Sequence, residues 1–225
     1  MLLLFDIDGT LMLRASDAHK EAVYAGIAAV YGSDVPRARV ETAGRTDPAI
    51  ARSILTLAGV DARRVDDGMP AWRAATCEAY HRLCPPDLSA RLAPGAHAVL
   101  ERLAGDGHVL SLVTGNLQGV ARLKLRRAGI GHFFGDDQGG FGSDDEDRAA
   151  LPAIARRRAG ATRRADAVVV GDTPLDIACA RADDLRVVAI TTGPHPAADL
   201  VAADAVVDRL DELPAALAAL PPSGV

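Results

Sequence analysis

The chain is poor in lysine. Of its 25 basic residues only Lys20 and Lys124 are lysines, and the rest are arginines. This bias reads as a property of the coding genome rather than of function. No surplus of positive charge is present to hold a nucleic acid, since the formal net charge is −5. The arginine runs Arg156-Arg157-Arg158 and Arg163-Arg164 read as solvated helix faces and ends, not as a binding patch. Cysteine is scarce as well. Cys77, Cys84 and Cys179 are an odd number without metal-type spacing, and they predict reduced thiols in a cytoplasmic protein. No apolar run approaches membrane-spanning length, so no membrane partner is expected. Met1–Phe5 is too short, and lacks the basic flank, for a signal sequence. His19, His81, His97, His108, His132 and His195 show no pairing that suggests catalysis or metal binding. No strand end carries Gly-x-Gly-x-x-Gly, which removes the dinucleotide fingerprint. Asp6-Ile7-Asp8-Gly9 has its glycine in the fourth place, where a calcium loop needs it in the sixth.

What is present begins at the first residues. Leu2-Leu3-Leu4-Phe5 is an uninterrupted apolar run, the pattern of a strand buried on both faces of a parallel sheet. It ends in Asp6 and Asp8, one residue apart, with Gly9 following. In open parallel sheets, sites form outside the carboxyl ends of the strands. Two carboxylates there repel unless a cation neutralises them, and Mg2+ is the usual cation where phosphate also binds. The plainer reading is a strand followed by an Asp-Gly turn.

The chain divides by pattern. At 225 residues and 49% apolar, it is long enough for one good core and a smaller second domain. Residues from about Ala15 to Leu88 predict helices and no strand, over Ala18–Tyr31, Pro48–Gly59 and Met69–Cys84. Trp72 falls at helical spacing and reads as core of this block. From Leu92 onward strands and helices alternate. Strands are predicted over His108–Val113, Gly139–Phe141, Ala167–Val170, Leu185–Ile190 and Ala205–Val207. Helices are predicted up to Ala104 from Pro94-Gly95, and over Leu117–Ala128, Asp144–Ala159, Pro174–Ala182 and Leu213–Leu220, before a tail over 221–225. The expected fold is α/β: a Rossmann-like parallel sheet with helices on both faces, and an inserted all-helical cap. The core domain takes 1–14 and 89–225 and the cap 15–88, placed to act as a lid over the carboxyl edge of the sheet.

Further strand ends are polar. Thr114-Gly115-Asn116 offers a hydroxyl and backbone N–H groups at a strand-to-helix turn, either an anion cradle or a helix N-cap. Gly171-Asp172-Thr173-Pro174-Leu175-Asp176 adds two carboxylates. Thr173 also fits as an N-cap with Asp176 closing a capping-box-like pair, which leaves Asp172 unexplained. In the helical block, Thr42-Ala43-Gly44-Arg45-Thr46-Asp47-Pro48 suits a substrate-facing loop, with Arg45 able to meet an anion. It also suits a plain helix start capped by Thr46 or Asp47.

Asp6-Ile7-Asp8-Gly9-Thr10, Thr114 after a strand, and Gly171-Asp172-x-x-x-Asp176 resemble, in order and spacing, motifs I, II and IV of the haloacid dehalogenase superfamily. The resemblance spans essentially the whole chain. The helical insertion resembles the cap class of phosphoglycolate phosphatase-like and β-phosphoglucomutase-like members. The resemblance implies Asp6 as a nucleophile that forms an aspartyl-phosphate, and Asp8 as general acid and then general base. It implies Mg2+ held by Asp6, the Asp8 main-chain carbonyl and Asp172, with Asp176 assisting. It implies that Thr114, Gly115 and Asn116 bind the phosphoryl group of a small phosphorylated metabolite. With a carboxylate two residues after the implied nucleophile, the chain resembles the phosphate-transferring branch of the family rather than its dehalogenases and phosphonatases.

Motif III departs from the family. Gly142 to Leu151 holds no lysine. Arg148 lies near the expected place, and Lys124 on the helix after Thr114 is the alternative. Arg148 also reads as an ordinary helix-surface residue, on a helix capped by Ser143 and Glu146. The expected activity is a phosphatase of the phosphoglycolate phosphatase type. A phosphomutase using the same aspartyl-phosphate, or a ligand-binding member without turnover, are the alternatives.

Overall fold

The structure is a computed structural model that describes residues 1–15, 17–161 and 163–221. Residues 222–225 of the expected tail lie outside the described residues.

The first strand, β1 (Leu2–Phe5), is buried along its length. Its side chains alternate between two apolar clusters: Leu3 and Phe5 enter one, Leu2 and Leu4 the other. Both faces of the sheet are therefore covered, which is why no polar residue interrupts the strand. The chain then turns back on itself. The N–H groups of Leu11 and Met12 both donate to the Ile7 carbonyl, at 3.0 and 2.8 Å. Gly9 sits in this turn at φ +93°, in the left-handed region.

Three helices follow: α1 (Asp17–Tyr31), α2 (Asp47–Leu57) and α3 (Ala62–Leu83). α3 starts earlier than its sequence suggests. Asp61 caps it by accepting from the N–H groups of Arg63 and Arg64 (3.0 and 3.3 Å), and the helix runs on through Pro70. Trp72 is fully buried in this block, its indole N–H donating to the Val23 carbonyl at 3.3 Å. No strand interrupts residues 15–88 among the described residues.

The remainder alternates: α4 (Ala96–Gly105), β2 (Val109–Thr114), α5 (Gln118–Arg127), β3 (Gly140–Phe141), α6 (Leu151–Arg158), β4 (Ala167–Gly171), α7 (Pro174–Ala182), β5 (Arg186–Ile190), β6 (Ala205–Val207) and α8 (Leu213–Ala219). The six strands form one parallel sheet in the order β3-β2-β1-β4-β5-β6. β1 lies between β2 and β4, with Phe5 opposite both Leu112 and Val170. That register brings the ends of these three strands level. Among the described residues no helix is long and apolar enough to cross a membrane.

One segment departs from expectation. The acidic stretch before Leu151 is not the first turns of α6, and Ser143 with Glu146 forms no capping box. Ser143 Oγ accepts from Gln118 N–H (2.8 Å), Glu146 pairs with Arg52 (2.7 Å) and Asp144 with Arg158 (2.6 Å). With those side chains drawn into ion pairs, only a short 3-10 turn over Arg148–Ala150 precedes the helix, and Asp147 caps it by accepting from Ala149 N–H (2.9 Å).

Leu3 has no exposure, whereas Leu57 is 67% exposed. Leu3→Ala is expected to lose about 2–5 kcal/mol of unfolding free energy in a urea titration. Leu57→Ala is expected to lose less than about 0.5 kcal/mol.

Candidate active site

The aligned ends of β1 and β4 gather three carboxylates. Oxygens of Asp6, Asp172 and Asp176 all lie within 4.8 Å of one another, and all three residues are buried. Asp6 follows β1 directly, its N–H donating to the Val170 carbonyl of β4 (2.9 Å). Asp172 follows β4. Its Oδ1 accepts from the Thr10 hydroxyl (2.9 Å), and its buried Oδ2 has no partner among the described residues. Asp176 closes a true capping box on α7, with Oδ2 accepting from Thr173 N–H (2.9 Å) and the Thr173 hydroxyl (2.7 Å). The helix-cap reading of Asp176 and its place in the acidic cluster are thus both realised.

Space around Asp172 is tight. A Cβ on Gly9 or on Gly193 would overlap the Asp172 carboxylate. Burial pushes the Asp6 carboxyl up to about 7, with Asp176 and Asp8 adding to the rise and Arg148 opposing it. Burial likewise pushes Asp172 up to about 8, reinforced by Asp6 and Asp176. An all-oxygen donor set from three buried carboxylates, one with an unpartnered oxygen and two that resist ionising, is a fit for a hard divalent cation such as Mg2+.

Both cations singled out in the sequence reach the site, at different carboxylates. Arg148, in the turn before α6, lies 3.4 Å from Asp6 Oδ1, pairs with Asp176, and donates to the Gly44 carbonyl at 2.9 Å. Burial works against its charge, but Asp176 and Asp6 outweigh that and hold the guanidinium above its ordinary value. Lys124 comes from α5 and has no exposed side chain at all. Its Nζ donates to Asp8 Oδ1 and Oδ2 (2.8 and 2.6 Å) and to Asn116 Oδ1 (2.8 Å). Asn116 also donates to Asp8, from Nδ2 (2.9 Å). Burial alone would raise the Asp8 carboxyl, but Lys124 and His19 together bring it below its ordinary value.

His19 corrects the sequence reading, which paired none of the histidines. Its Nδ1 lies 3.2 Å from Lys124 Nζ and its Nε2 2.9 Å from Asp47 Oδ2. Asp47 Oδ2 in turn accepts from Leu117 N–H (2.7 Å), just ahead of α5. Thr46, not Asp47, is the N-cap of α2, accepting from Ala49 N–H (3.3 Å). This leaves the Asp47 carboxylate free to reach the sheet edge. Nothing in the local pattern distinguished His19 or Asp47, since an acidic residue beside Pro48 is ordinary at a helix start.

The loop after β2 differs from an open cradle. Thr114 is fully buried and its hydroxyl accepts from Asn116 N–H (3.3 Å). The N–H groups of Leu117 and Gln118 are engaged by Asp47 and Ser143. A cavity of about 270 Å3 opens beside Asp6 and Asp8, and Gly115, Asn116, Arg148 and Asp172 also line it. Thr114 is not on its wall. Arg45 is, but its guanidinium donates to the Glu41 carbonyl (3.2 Å), the Ala49 carbonyl (3.0 Å) and Ser53 Oγ (2.9 Å). It therefore serves its own loop instead of pointing bare at an anion.

Asp6 and Asp172 titrate higher when folded than when unfolded, so between about pH 4 and 8 the folded chain holds protons that the unfolded chain has released. Stability contributed by these groups is present below the ordinary carboxyl range and lost as pH rises. Without divalent cation, the melting temperature is expected to fall between pH 5 and 8.5. Added Mg2+ is expected to reduce that fall, as followed by scanning fluorimetry.

The family model for haloacid dehalogenase-like hydrolases matches residues 3–181. A phosphoglycolate phosphatase from Cereibacter sphaeroides is 29% identical over 192 residues, covering 84% of each chain. The solved structure of a hydrolase from Pseudomonas syringae superposes with a TM-score of 0.66 at 20% identity, covering 98% of this chain and 100% of that one. CbbY from Rhodobacter sphaeroides, solved in complex with phosphate, superposes with a TM-score of 0.66 at 20% identity over 94% of this chain and 95% of that one. The match takes in β1 with its paired carboxylates, the strand before Thr114 and the acidic turn after β4, and the chain belongs to the haloacid dehalogenase-like hydrolases.

Proposed function

We propose that the chain is a Mg2+-dependent phosphatase of small phosphorylated metabolites, working through an aspartyl-phosphate on Asp6. The carrying observation is that Asp6 and Asp8 stand side by side with separate cations, Arg148 at the first and Lys124 at the second. The likeness to phosphoglycolate phosphatase supports a phosphomonoester substrate.

An oxygen of Asp6 attacks phosphorus; the new O–P bond forms as the ester O–P bond breaks. The protonated form of Asp8, which the Lys124 contact disfavours before substrate binds, gives its proton to the departing alkoxide. In the second half Asp8 takes a proton from water as the water oxygen attacks phosphorus, which frees Asp6 and inorganic phosphate. Arg148 steadies Asp6 and the phosphoryl oxygens. Lys124 and Asn116 hold Asp8 in line. Asp6, Asp172, Asp176 and the Asp8 main-chain carbonyl would hold Mg2+, and Gly115 and Asn116 form the wall beside the phosphoryl group. When bound, the cation supplies the positive charge that offsets repulsion between a carboxylate and a phosphate dianion.

In this reading residues 15–88 are a cap domain over a core of 1–14 and 89–225. Its seam with the core is drawn by Asp47 at Leu117 N–H (2.7 Å) and by the Thr46 hydroxyl at the Glu146 carbonyl (2.7 Å). Closure excludes water from the first half-reaction. A cytoplasmic location is supported by the free thiols Cys77, Cys84 and Cys179.

Hydrolysis of p-nitrophenyl phosphate and 2-phosphoglycolate is expected to require Mg2+ and to release free phosphate. Sugar-phosphate isomer without free phosphate would show a phosphomutase instead. Asp6→Asn is expected to abolish turnover, and full activity in that variant would sink the mechanism. Asp8→Asn is expected to lower kcat by about 10²- to 10⁴-fold on 2-phosphoglycolate. The loss in the bond-breaking half should be smaller with p-nitrophenyl phosphate, whose leaving group needs little protonation.

A further inference from the structure

Next to the reaction cavity lies a second one, of about 360 Å3, lined by α1, the segment over 38–42 and α2 and open on one side. Its wall is largely apolar, built from Val23, Tyr24, Val40, Ile50 and Ile54. Val23, Tyr24 and Ile54 are buried parts of the core cluster. His19, Thr42, Asp47 and Ile50 line both cavities, so the two share one wall.

Size and polarity divide the two spaces. The cavity beside Asp6, of about 270 Å3, is lined by Asp6, Asp8, Arg148 and Asp172 and suits an anionic group. The second, of about 360 Å3, adds space beyond it with a mostly apolar wall. Three of its inner polar neighbours, His19, Asp47 and Tyr24, are already engaged, while Lys20 and Arg39 stand at its exposed rim. His19 lies between Asp47 and Lys124 (2.9 and 3.2 Å), and the Tyr24 hydroxyl donates to the Ala38 carbonyl (2.9 Å). A sugar ring entering here would leave hydroxyls against aliphatic walls with few partners, which is costly. An apolar group meets no such penalty. Lys20 and Arg39 line the cavity as exposed residues and disfavour a terminal amine there.

We propose that the cap cavity receives the alcohol half of the substrate. The substrates are then phosphomonoesters whose alcohol carries a branched aliphatic or aromatic body, larger than a two-carbon acid and less polar than a sugar. The proposal rests on the phosphatase reading of Asp6 and adds what the cap selects.

The test separates the two. Calorimetric titration with Mg2+ present compares methylphosphonate with 2-phenylethylphosphonate, neither of which can be hydrolysed. The phenylethyl compound is expected to bind at least about tenfold tighter, in line with what methylene-scale contacts in an apolar pocket provide. Ala38→Trp, which fills the cavity from a loop position, is expected to bring the ratio close to one. Phenylethyl phosphate is likewise expected to exceed glucose 6-phosphate in kcat/KM. Equal affinity of the two phosphonates, or a preference that survives Ala38→Trp, overturns the assignment. Clear discrimination between the phosphonates with no turnover of any phosphomonoester supports the cavity and overturns the phosphatase reading instead.

Discussion

Asp6, Asp8, Asp172 and Asp176 crowd one edge of the sheet, and the repulsion among them is what the surrounding residues are arranged to contain. The parallel register creates the problem, because aligned strand ends deliver their polar residues to one place. Two solutions operate side by side. Around Asp6 and Asp172, burial and like charge lift the carboxyls, and Arg148 offsets part of the repulsion. Around Asp8, a fully buried lysine touches both oxygens and holds the carboxyl below its ordinary value. The same residue type therefore has opposite proton affinities at positions two residues apart. The proposed first half-reaction needs the reverse order, Asp6 ionised and Asp8 protonated, and a cation held at Asp6 would supply part of that reversal by lowering its carboxyl.

Lys124 also ties the sheet edge to the helices above it. Its contacts with Asp8 and Asn116 stay within the α/β part, while its contact with His19 reaches α1. Asp47 completes the connection from α2. A buried amine with one face on the sheet and one on the helical block needs both for full solvation by protein groups. Separating them would leave a charged group short of partners, a cost that favours the docked arrangement.

Much of this was legible in the sequence because it depends on local pattern. The apolar run of β1 predicts a strand covered on both faces, and it is one. Asp172 stood out because no capping role explained it. Arg148 and Lys124 were visible as the candidate cations, yet their division of labour was not, since it depends on how α5 and the turn before α6 sit across the sheet. The acidic run before Leu151 looked like the opening of a helix because carboxylates favour helix N-termini. Its partners Arg52 and Arg158 are distant in sequence or belong to the next element, and they pull it into a loop. His19 was passed over for a related reason: a histidine's significance lies in what faces its two ring nitrogens, and both neighbours come from other elements.

The close fit of Gly9 and Gly193 around the Asp172 carboxylate has a consequence for how the site would look in a saturation mutagenesis experiment. Neither glycine carries a reacting group, yet any side chain at either would displace a carboxylate of the acidic cluster. Scored by loss of activity, both positions would rank beside Asp6 and Asp8. A map drawn from such scores would mark a ring of intolerant positions wider than the chemistry. Its outer members would report the volume that Asp172 needs rather than any bond made or broken.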